Sequence, residues 1–333
     1  MSQMSDSTNQ FPPIMEAGVK SPLISICIPA YKRVDFLKRL LDSIAIQHFK
    51  DFEVVISDDS PATEVAEMLQ DYAKSIPNLI YHRNEQALGT PANWNKAIEM
   101  AKGQWIKIMH DDDWFTSPDG IQKFATAVSK GSPALVFCSY KDVFLETGKE
   151  KKVRPPAYRF RQMVKEPATL LSRNIIGPPS VTMHRKDGKH TYDTKLKWLV
   201  DIDMYIRRMK DEPVSFLPDF LVNVGVGKDQ VTASVHGAGE VEIPEHFHFL
   251  SKSGIGKLKH ILVYDYWWRL FRNFNIHSEA DIRGFGYAGP IHAVFISMIS
   301  WQNRILDRIL RIGVFSKIFM FVHFILHRRK LIE

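Results

Sequence analysis

With 333 residues, 45% of them hydrophobic and 24% charged, the chain has the composition of an ordinary globular protein. It is long enough for one large α/β domain with an appendage, or for two modest domains. The formal net charge of +7 is gathered late: from Arg304 onward, seven basic side chains stand against Asp307 and Glu333. No zinc-ligand spacing, basic recognition helix or basic-aromatic pattern accompanies that tail, which argues against nucleic acid as a partner.

The first 20 residues are polar, broken by Pro12-Pro13, and lack the basic start and apolar core of a signal peptide. They read as a flexible leader ahead of a cytoplasmic domain. Leu23 to Ile28 is a β-rich run closed by Pro29, and Val34, Phe36, Leu37, Leu40, Leu41 and Ile44 then recur at helical spacing. The alternation repeats: a strand at 53–57, a helix at 61–74, a strand at 79–82, a helix at 91–102 and a strand at 104–109. Such a pattern predicts an α/β fold, a mostly parallel sheet with helices on both faces. Cys27 and Cys138 lie inside apolar strand-like runs, where reduced, buried thiols are expected.

Ligands of such sheets bind beyond the carboxyl ends of the strands. Three polar landmarks fall there: Pro29-Ala30-Tyr31, Asp58-Asp59 and Asp111-Asp112-Asp113. Three adjacent carboxylates repel one another, and hard oxygen ligands at one point suit Mg²⁺ or Mn²⁺. The competing reading is a solvated acidic turn before a helix begun by Thr116, Ser117 and Pro118. For Asp58-Asp59 the competing reading is a turn and helix cap, which Ser60-Pro61 favours for one of the pair.

After a strand at 134–139 the chain changes character. Residues 141–165 are rich in Lys and Arg, contain Pro155-Pro156 and show little periodicity, so a long excursion over the sheet edge is expected. A second half resumes with a strand at 180–184, a helix at 198–209 and a Gly-containing loop at 225–239. From about Pro244 the chain reads as helical. The apolar runs 290–301 and 312–326 are too short to span a bilayer. Beside their arginines they suggest a partly amphipathic extension that lies in a membrane interface, or packs on the domain or a second subunit.

Taken together, Pro29-Ala30-Tyr31-Lys32-Arg33 after the first strand, Asp58-Asp59-Ser60 after the second, Asn93-Trp94-Asn95-Lys96-Ala97 before Ala101-Lys102-Gly103, and His110-Asp111-Asp112-Asp113-Trp114 after the fourth resemble glycosyltransferase family 2 in order and spacing. The resemblance covers about residues 21–139. Beyond it, Trp198 to Tyr205 is similar to the acidic stretch that carries the family's general base. It implies a GT-A fold, a nucleotide-sugar donor, a divalent cation and inversion at the anomeric carbon. It divides the chain into a leader (1–20), a transferase domain (21–240, with a donor half to 139 and an acceptor half after it) and a helical extension (241–333).

Carried over by residue, the resemblance makes Pro29, Ala30 and Tyr31 the nucleobase pocket and Asp59, or Asp58, the partner of the base edge, which suits a UDP-linked donor. Arg33, Arg83, Asn84, Asn95 and Asp111 fall on the nucleotide-sugar side. The acidic motif has two registers. In one, His110 replaces a leading Asp and Asp112 grips the metal; in the other, the pair is Asp111 and Asp113. Asp201 is the expected base and Asp203 the alternate; two residues apart on a helix, they point about 200° from each other. Lys228 could meet phosphate from the loop Lys228-Asp229-Gln230-Val231-Thr232, and His236 is a weaker candidate there.

The acceptor would be a saccharide or lipid-linked saccharide, as in surface polysaccharide assembly. Three rivals remain. A glycoside hydrolase needs no strand-end acidic cluster beside a base pocket. A nucleotidyltransferase would want a Gly-rich phosphate loop, for which Lys32-Arg33 is the only hint. A nucleotide-sugar-binding scaffold that had lost catalysis would fit the departure at His110.

Overall fold

Four parallel strands make the first half of the sheet: β1 (Ile24–Ala30), β2 (Phe52–Asp58), β3 (Leu79–Arg83) and β4 (Trp105–Ile108). The computed structural model describes residues 21–131, 133–210, 212–227, 235 and 237–331. Helices α1 (Val34–Ala45), α2 (Glu64–Leu69) and α3 (Ala92–Met100) connect these strands. Side chains alternate along a strand, so Ile24, Ile26 and Ile28 enter one buried cluster with Leu37, Leu40 and Leu41 of α1. Cys27 enters the opposite one with Val55 of β2 and Ala97 of α3. With both faces covered, the middles of β1 and β2, Ile26 to Ile28 and Val54 to Ile56, are continuously apolar.

The second half is mixed. It contains β5 (Trp114–Phe115), α4 (Gly120–Gly131), β6 (Leu135–Phe144), β7 (Glu150–Val153), α5 (Ala157–Lys165), β8 (Thr182–Arg185), α6 (Val200–Arg208) and β9 (Val214–Val226). The strand order is β3-β2-β1-β4-β8-β6-β9-β5, with β7 on β6. β8 runs antiparallel to both neighbours, while β6 and β9 are parallel.

One expectation needs correction, and one strand was not anticipated. Residues 141–165 are no structureless excursion: β6 runs on to Phe144, turns back as β7 and leads into α5. Strand β9 is long and carries no clean signal, because Pro218 interrupts it. Partner residues step from Leu217 to Phe220 while β6 advances one residue, so Pro218-Asp219 bulge out of the ladder. A proline cannot donate to a ladder and is tolerated at such a bulge.

The chain ends in α7 (Gly239–Ser253), α8 (Ile261–Asn273), α9 (Glu279–Gly284), α10 (Ala293–Gln302), α11 (Asp307–Leu310) and α12 (Gly313–His327). Their buried residues, Phe247, Trp267, Phe295 and Met320 among them, belong to the same cluster as Cys27, Val55 and Ile106 of the sheet. The extension and the sheet thus share a core. No described helix is long and apolar enough to cross a membrane.

Candidate active site

Strand β4 delivers its acidic end to the point where β1 also stops. Met109 N–H donates to the Cys27 carbonyl at 3.0 Å and His110 N–H to Ser180 Oγ at 2.9 Å, after which the chain turns through the triplet. Asp111, Asp112 and Asp113 are 3%, 6% and 1% exposed. Across from them, Lys32 adopts a left-handed backbone (φ 63°) and its N–H donates to Ser60 Oγ at 2.8 Å, which fixes the loop holding Arg33. Arg33 Nε donates to Asp111 Oδ2 at 3.1 Å, its Nη2 to Asp111 Oδ1, and its Nη1 to Asp112 Oδ2 at 3.0 Å. Arg39 Nη2 donates to the Asp112 carbonyl at 2.9 Å with its guanidinium 3.7 Å from the Trp114 ring centroid.

Arg33 pairs with Asp111 and Asp112 but not with Asp113, which Arg39 and Lys107 reach only as nearby charges. Burial pushes Asp111 up to about 7 although Arg33 pulls the other way. Asp113 is also raised, by burial first and the Asp112 charge second. A further cation would relieve both. The donor set fits one. His110 lies against Trp94, ring centroids 4.9 Å apart, and burial lowers its pKa to about 4, so the imidazole is neutral near pH 7. His110 Nε2 and Asp113 Oδ2 are buried without hydrogen-bond partners. One ligand atom each from His110, Asp112 and Asp113 lie within 4.8 Å of one another. Two carboxylates and an imidazole suit Mn²⁺ or Mg²⁺, with the nitrogen favouring Mn²⁺. Both registers of the motif therefore contribute to one cluster.

Strand β9 supports the cluster from behind. Gly225 N–H donates to Asp113 Oδ1 at 3.0 Å, and a Cβ at Gly225 would collide with the Asp112 carbonyl oxygen. Backbone cannot yield as a flexible side chain can. Gly225→Ala is therefore expected to push the Asp112 backbone aside and weaken Mn²⁺ binding by about tenfold or more. Titrating the free Mn²⁺ signal by electron paramagnetic resonance checks this, and unchanged affinity would show that β9 does not hold the ligands in place.

The acidic cluster forms one wall of a cleft of about 970 Å³ whose lining includes Pro29, Ala30, Tyr31, Asp59, Asn93, Trp94, Asn174, Trp198 and Asp201. The motif residues divide into two groups. Asp59 faces the cleft, and its carboxylate also accepts from Leu88 N–H (3.0 Å), Gly89 N–H (2.8 Å) and Asn84 Nδ2 (2.8 Å), so it anchors the loop that lines the cleft at Leu88 and Gly89. Asp58 lies behind the wall, accepting from Ser60 N–H and Tyr81 Oη. Asn84 bridges Ser57, Asp59 and Asn93, and Arg83 reaches out to the Pro61 carbonyl. Asn95 pairs with both backbone groups of Tyr192 at 2.8 Å. Asp58, Arg83, Asn84 and Asn95 are thus not on the cleft wall.

The two candidate bases part in the same way. Asp201, in the first turn of α6, faces the cleft; its Oδ2 accepts from Asn174 Nδ2 at 3.0 Å, and burial raises its pKa to about 6. Asp203 is turned into the protein, gripped by Arg207 Nε at 2.8 Å and Lys252 Nζ at 2.7 Å. Lys228 to Thr232 and His236 lie outside the described residues. Asn174 was not anticipated from sequence: it stands in an irregular segment, its Oδ1 accepting from Ile176 and Gly177 N–H. Trp94 sat inside a sequence motif, where its place on the cleft wall and its contact with His110 mark it as part of the site.

A strand-end acidic cluster and a facing carboxylate on one cleft of a mixed α/β sheet are the arrangement expected of a nucleotide-dependent transferase. The model of glycosyl transferase family 2 matches residues 25–187, and the chain belongs to that family of glycosyltransferases. It is 28% identical over 213 residues to an uncharacterized glycosyltransferase of Methanocaldococcus jannaschii, covering 62% of this chain and 72% of that one. A GalNAc(5)-diNAcBac-PP-undecaprenol beta-1,3-glucosyltransferase of Campylobacter jejuni is 29% identical over 93 residues, 28% of this chain and 30% of the relative. Among solved structures, S. aureus TarS 1-349 in complex with UDP-GlcNAc superposes with a TM-score of 0.58 at 16% identity, covering 92% of this chain and 90% of that one. This chain spans 54% of the longer TarS chain. The mannosyltransferase PcManGT of Pyrobaculum calidifontis, in complex with GDP-Man and Mn²⁺, gives 0.55 at 13% identity, covering 94% and 89%. These likenesses give the GT-A fold.

Proposed function

We propose that this glycosyltransferase moves a sugar from a nucleoside diphosphate sugar to an acceptor hydroxyl with inversion, with Asp201 as the general base. The observation that carries the reading is the position of Asp201: a partly buried carboxylate with a pKa raised to about 6, held by Asn174 on the same cleft as Asp112 and Asp113. An inverting transfer needs a base on the acceptor side and charge stabilisation on the leaving-group side, and the cleft carries both.

In this reading Tyr31 offers its half-exposed ring to the nucleobase beside Pro29 and Ala30, and Asp59 holds the loop that closes that pocket. His110, Asp112 and Asp113 hold a divalent cation, which when bound neutralises the diphosphate of the leaving group. Arg33 then has two tasks, balancing Asp111 and Asp112 and presenting positive charge to the donor. Asp201 takes the acceptor proton as the hydroxyl oxygen attacks the anomeric carbon and the bond to the diphosphate breaks. UDP-linked sugars are the first donors to test, since TarS was solved with UDP-GlcNAc. A lipid-linked saccharide is the first acceptor class, on the example of the undecaprenol-linked relative.

The test is a panel of nucleotide sugars with Mn²⁺ and detection of released nucleoside diphosphate. One donor should be consumed, and Asp112→Ala should weaken Mn²⁺-dependent nucleotide binding by about tenfold or more. If no donor is bound or hydrolysed, and the variant binds nucleotide as the parent does, the reading is wrong.

A further inference from the structure

Helix α12 is apolar on both sides, and only one side is covered. Its inner face, Ser316, Met320, His323 and Phe324, is buried. That face is firmly held by α8: Trp268 Nε1 and Arg272 Nη1 donate to Ser316 Oγ at 3.1 and 3.0 Å, and Tyr264 Oη lies 2.6 Å from His323 Nδ1. On the outer face Val314, Phe315, Ile318, Phe321, Val322 and Ile325 are each at least 41% exposed. At 100° per residue they occupy an arc about 120° wide. A helix that is apolar all round belongs in a buried setting, and soluble monomers rarely expose a contiguous patch of this kind. Since the inner contacts fix the helix, the outer stripe is presented rather than frayed.

The charge of the same C-terminal stretch says what covers it. Arg304, Arg308, Arg311, Lys317, Arg328 and Arg329 are exposed, with Asp307 the acidic side chain among the described residues of this stretch. A two-fold dimer through the stripe would set one basic rim against another, which is repulsive. A bilayer carrying anionic headgroups answers both features: its acyl boundary takes the apolar side chains and its surface attracts the arginines. At about 1.5 Å per residue α12 is roughly 22 Å long, short of the ~30 Å hydrocarbon core, so it lies in the interface and does not cross.

We propose that the outer face of α12 docks this protein on an anionic lipid surface, with Phe315, Ile318 and Phe321 entering the bilayer and Arg304, Arg308 and Lys317 meeting the headgroups. The surface lies apart from the residues of the transfer site, so its test does not depend on the donor. The full chain is to be sedimented with vesicles of phosphatidylcholine, with and without phosphatidylglycerol, at low and high salt. Binding to the phosphatidylglycerol vesicles that weakens with salt is expected. Phe315→Glu/Ile318→Glu/Phe321→Glu and, separately, Arg304→Glu/Arg308→Glu should each lower it by at least about tenfold, at roughly fivefold per lost basic side chain for the second. Both should keep the parent's nucleotide binding. Equal binding to neutral vesicles, binding unaffected by either variant, or a parent dimer that the first variant turns into a monomer without any vesicle binding would each overturn the proposal.

Discussion

Asp201→Asn is expected to cut sugar transfer by about 10³-fold while leaving donor affinity within about twofold. The amide keeps the volume and the contact with Asn174 but cannot take a proton. The parent enzyme should also show an acid limb. Burial raises the Asp201 pKa to about 6, so the base is ionised above that value and protonated below it. Activity is therefore full above the pKa and falls about tenfold per pH unit beneath it. The neighbouring carboxylate provides the contrast. Asp203 sits buried between Arg207 and Lys252; Asp203→Asn takes the carboxylate from Arg207, while Lys252 keeps Asp193 at 2.7 Å, and should cost about 2 kcal/mol of stability. Its transfer rate per folded molecule should stay near that of the parent. Steady-state kinetics across pH, with thermal melts of both variants, separate the two roles. If Asp203→Asn loses the acid limb and Asp201→Asn keeps it, the assignment is reversed.

That division shows where sequence reading stops. The spacing of Asp201 and Asp203 already requires opposite directions on a helix, but which one meets the cleft depends on Lys252 of α7, about fifty positions away in the chain. The strand-end positions of Pro29, Asp58-Asp59 and Asp111 to Asp113 were legible, because strand-to-helix alternation fixes the edge of the sheet at which they emerge. Within those motifs the chemical division of labour was not. Asp58 and Asp59 are adjacent and identical, yet β2 ends between them: Asp58 points back to Tyr81 and Ser60, and Asp59 points on to the loop at Leu88 and Gly89. Asn84 and Asn95 satisfy buried groups, a requirement as strict as catalysis and invisible without partners. The two registers of the acidic motif could not be separated by counting because the turn gathers His110, Asp112 and Asp113 into one cluster. Strand β9 was missed because its proline breaks the alternation. Yet β9 supplies the glycine against which the cluster rests.

Another connection of this kind runs from α7 to the start of α6. Glu245 is buried, and its carboxylate accepts three consecutive backbone N–H groups: Lys197 at 2.6 Å, Trp198 at 2.9 Å and Leu199 at 3.0 Å. Those residues lead directly into α6, whose N-cap, Leu199, has no side-chain cap of its own. Successive N–H groups aimed at one anion form a positive nest, and helix starts favour negative charge. Glu245 therefore does from outside what a capping Asp or Ser does from within. Trp198 and Asp201, on either side of the helix start, inherit their positions from it. Glu245→Ala leaves three donors unpaired in a buried place and should cost about 3 kcal/mol or more. It should also free the first turn of α6, and a displacement of about 1 Å at a reacting group is enough to lower kcat roughly 100-fold. Glu245→Gln keeps one acceptor oxygen and turns an amide toward the donors, so it should fall between parent and alanine variant in both stability and rate. With the donor on the β1, β2 and β4 side of the cleft, as proposed, its affinity should barely change in either variant. A fall in kcat with little change in donor Kd, graded from Gln to Ala and measured well below the melting temperature, is the signature of a positioning residue. Loss of stability with an unchanged kcat would instead make Glu245 a brace for the fold with no hold on Asp201.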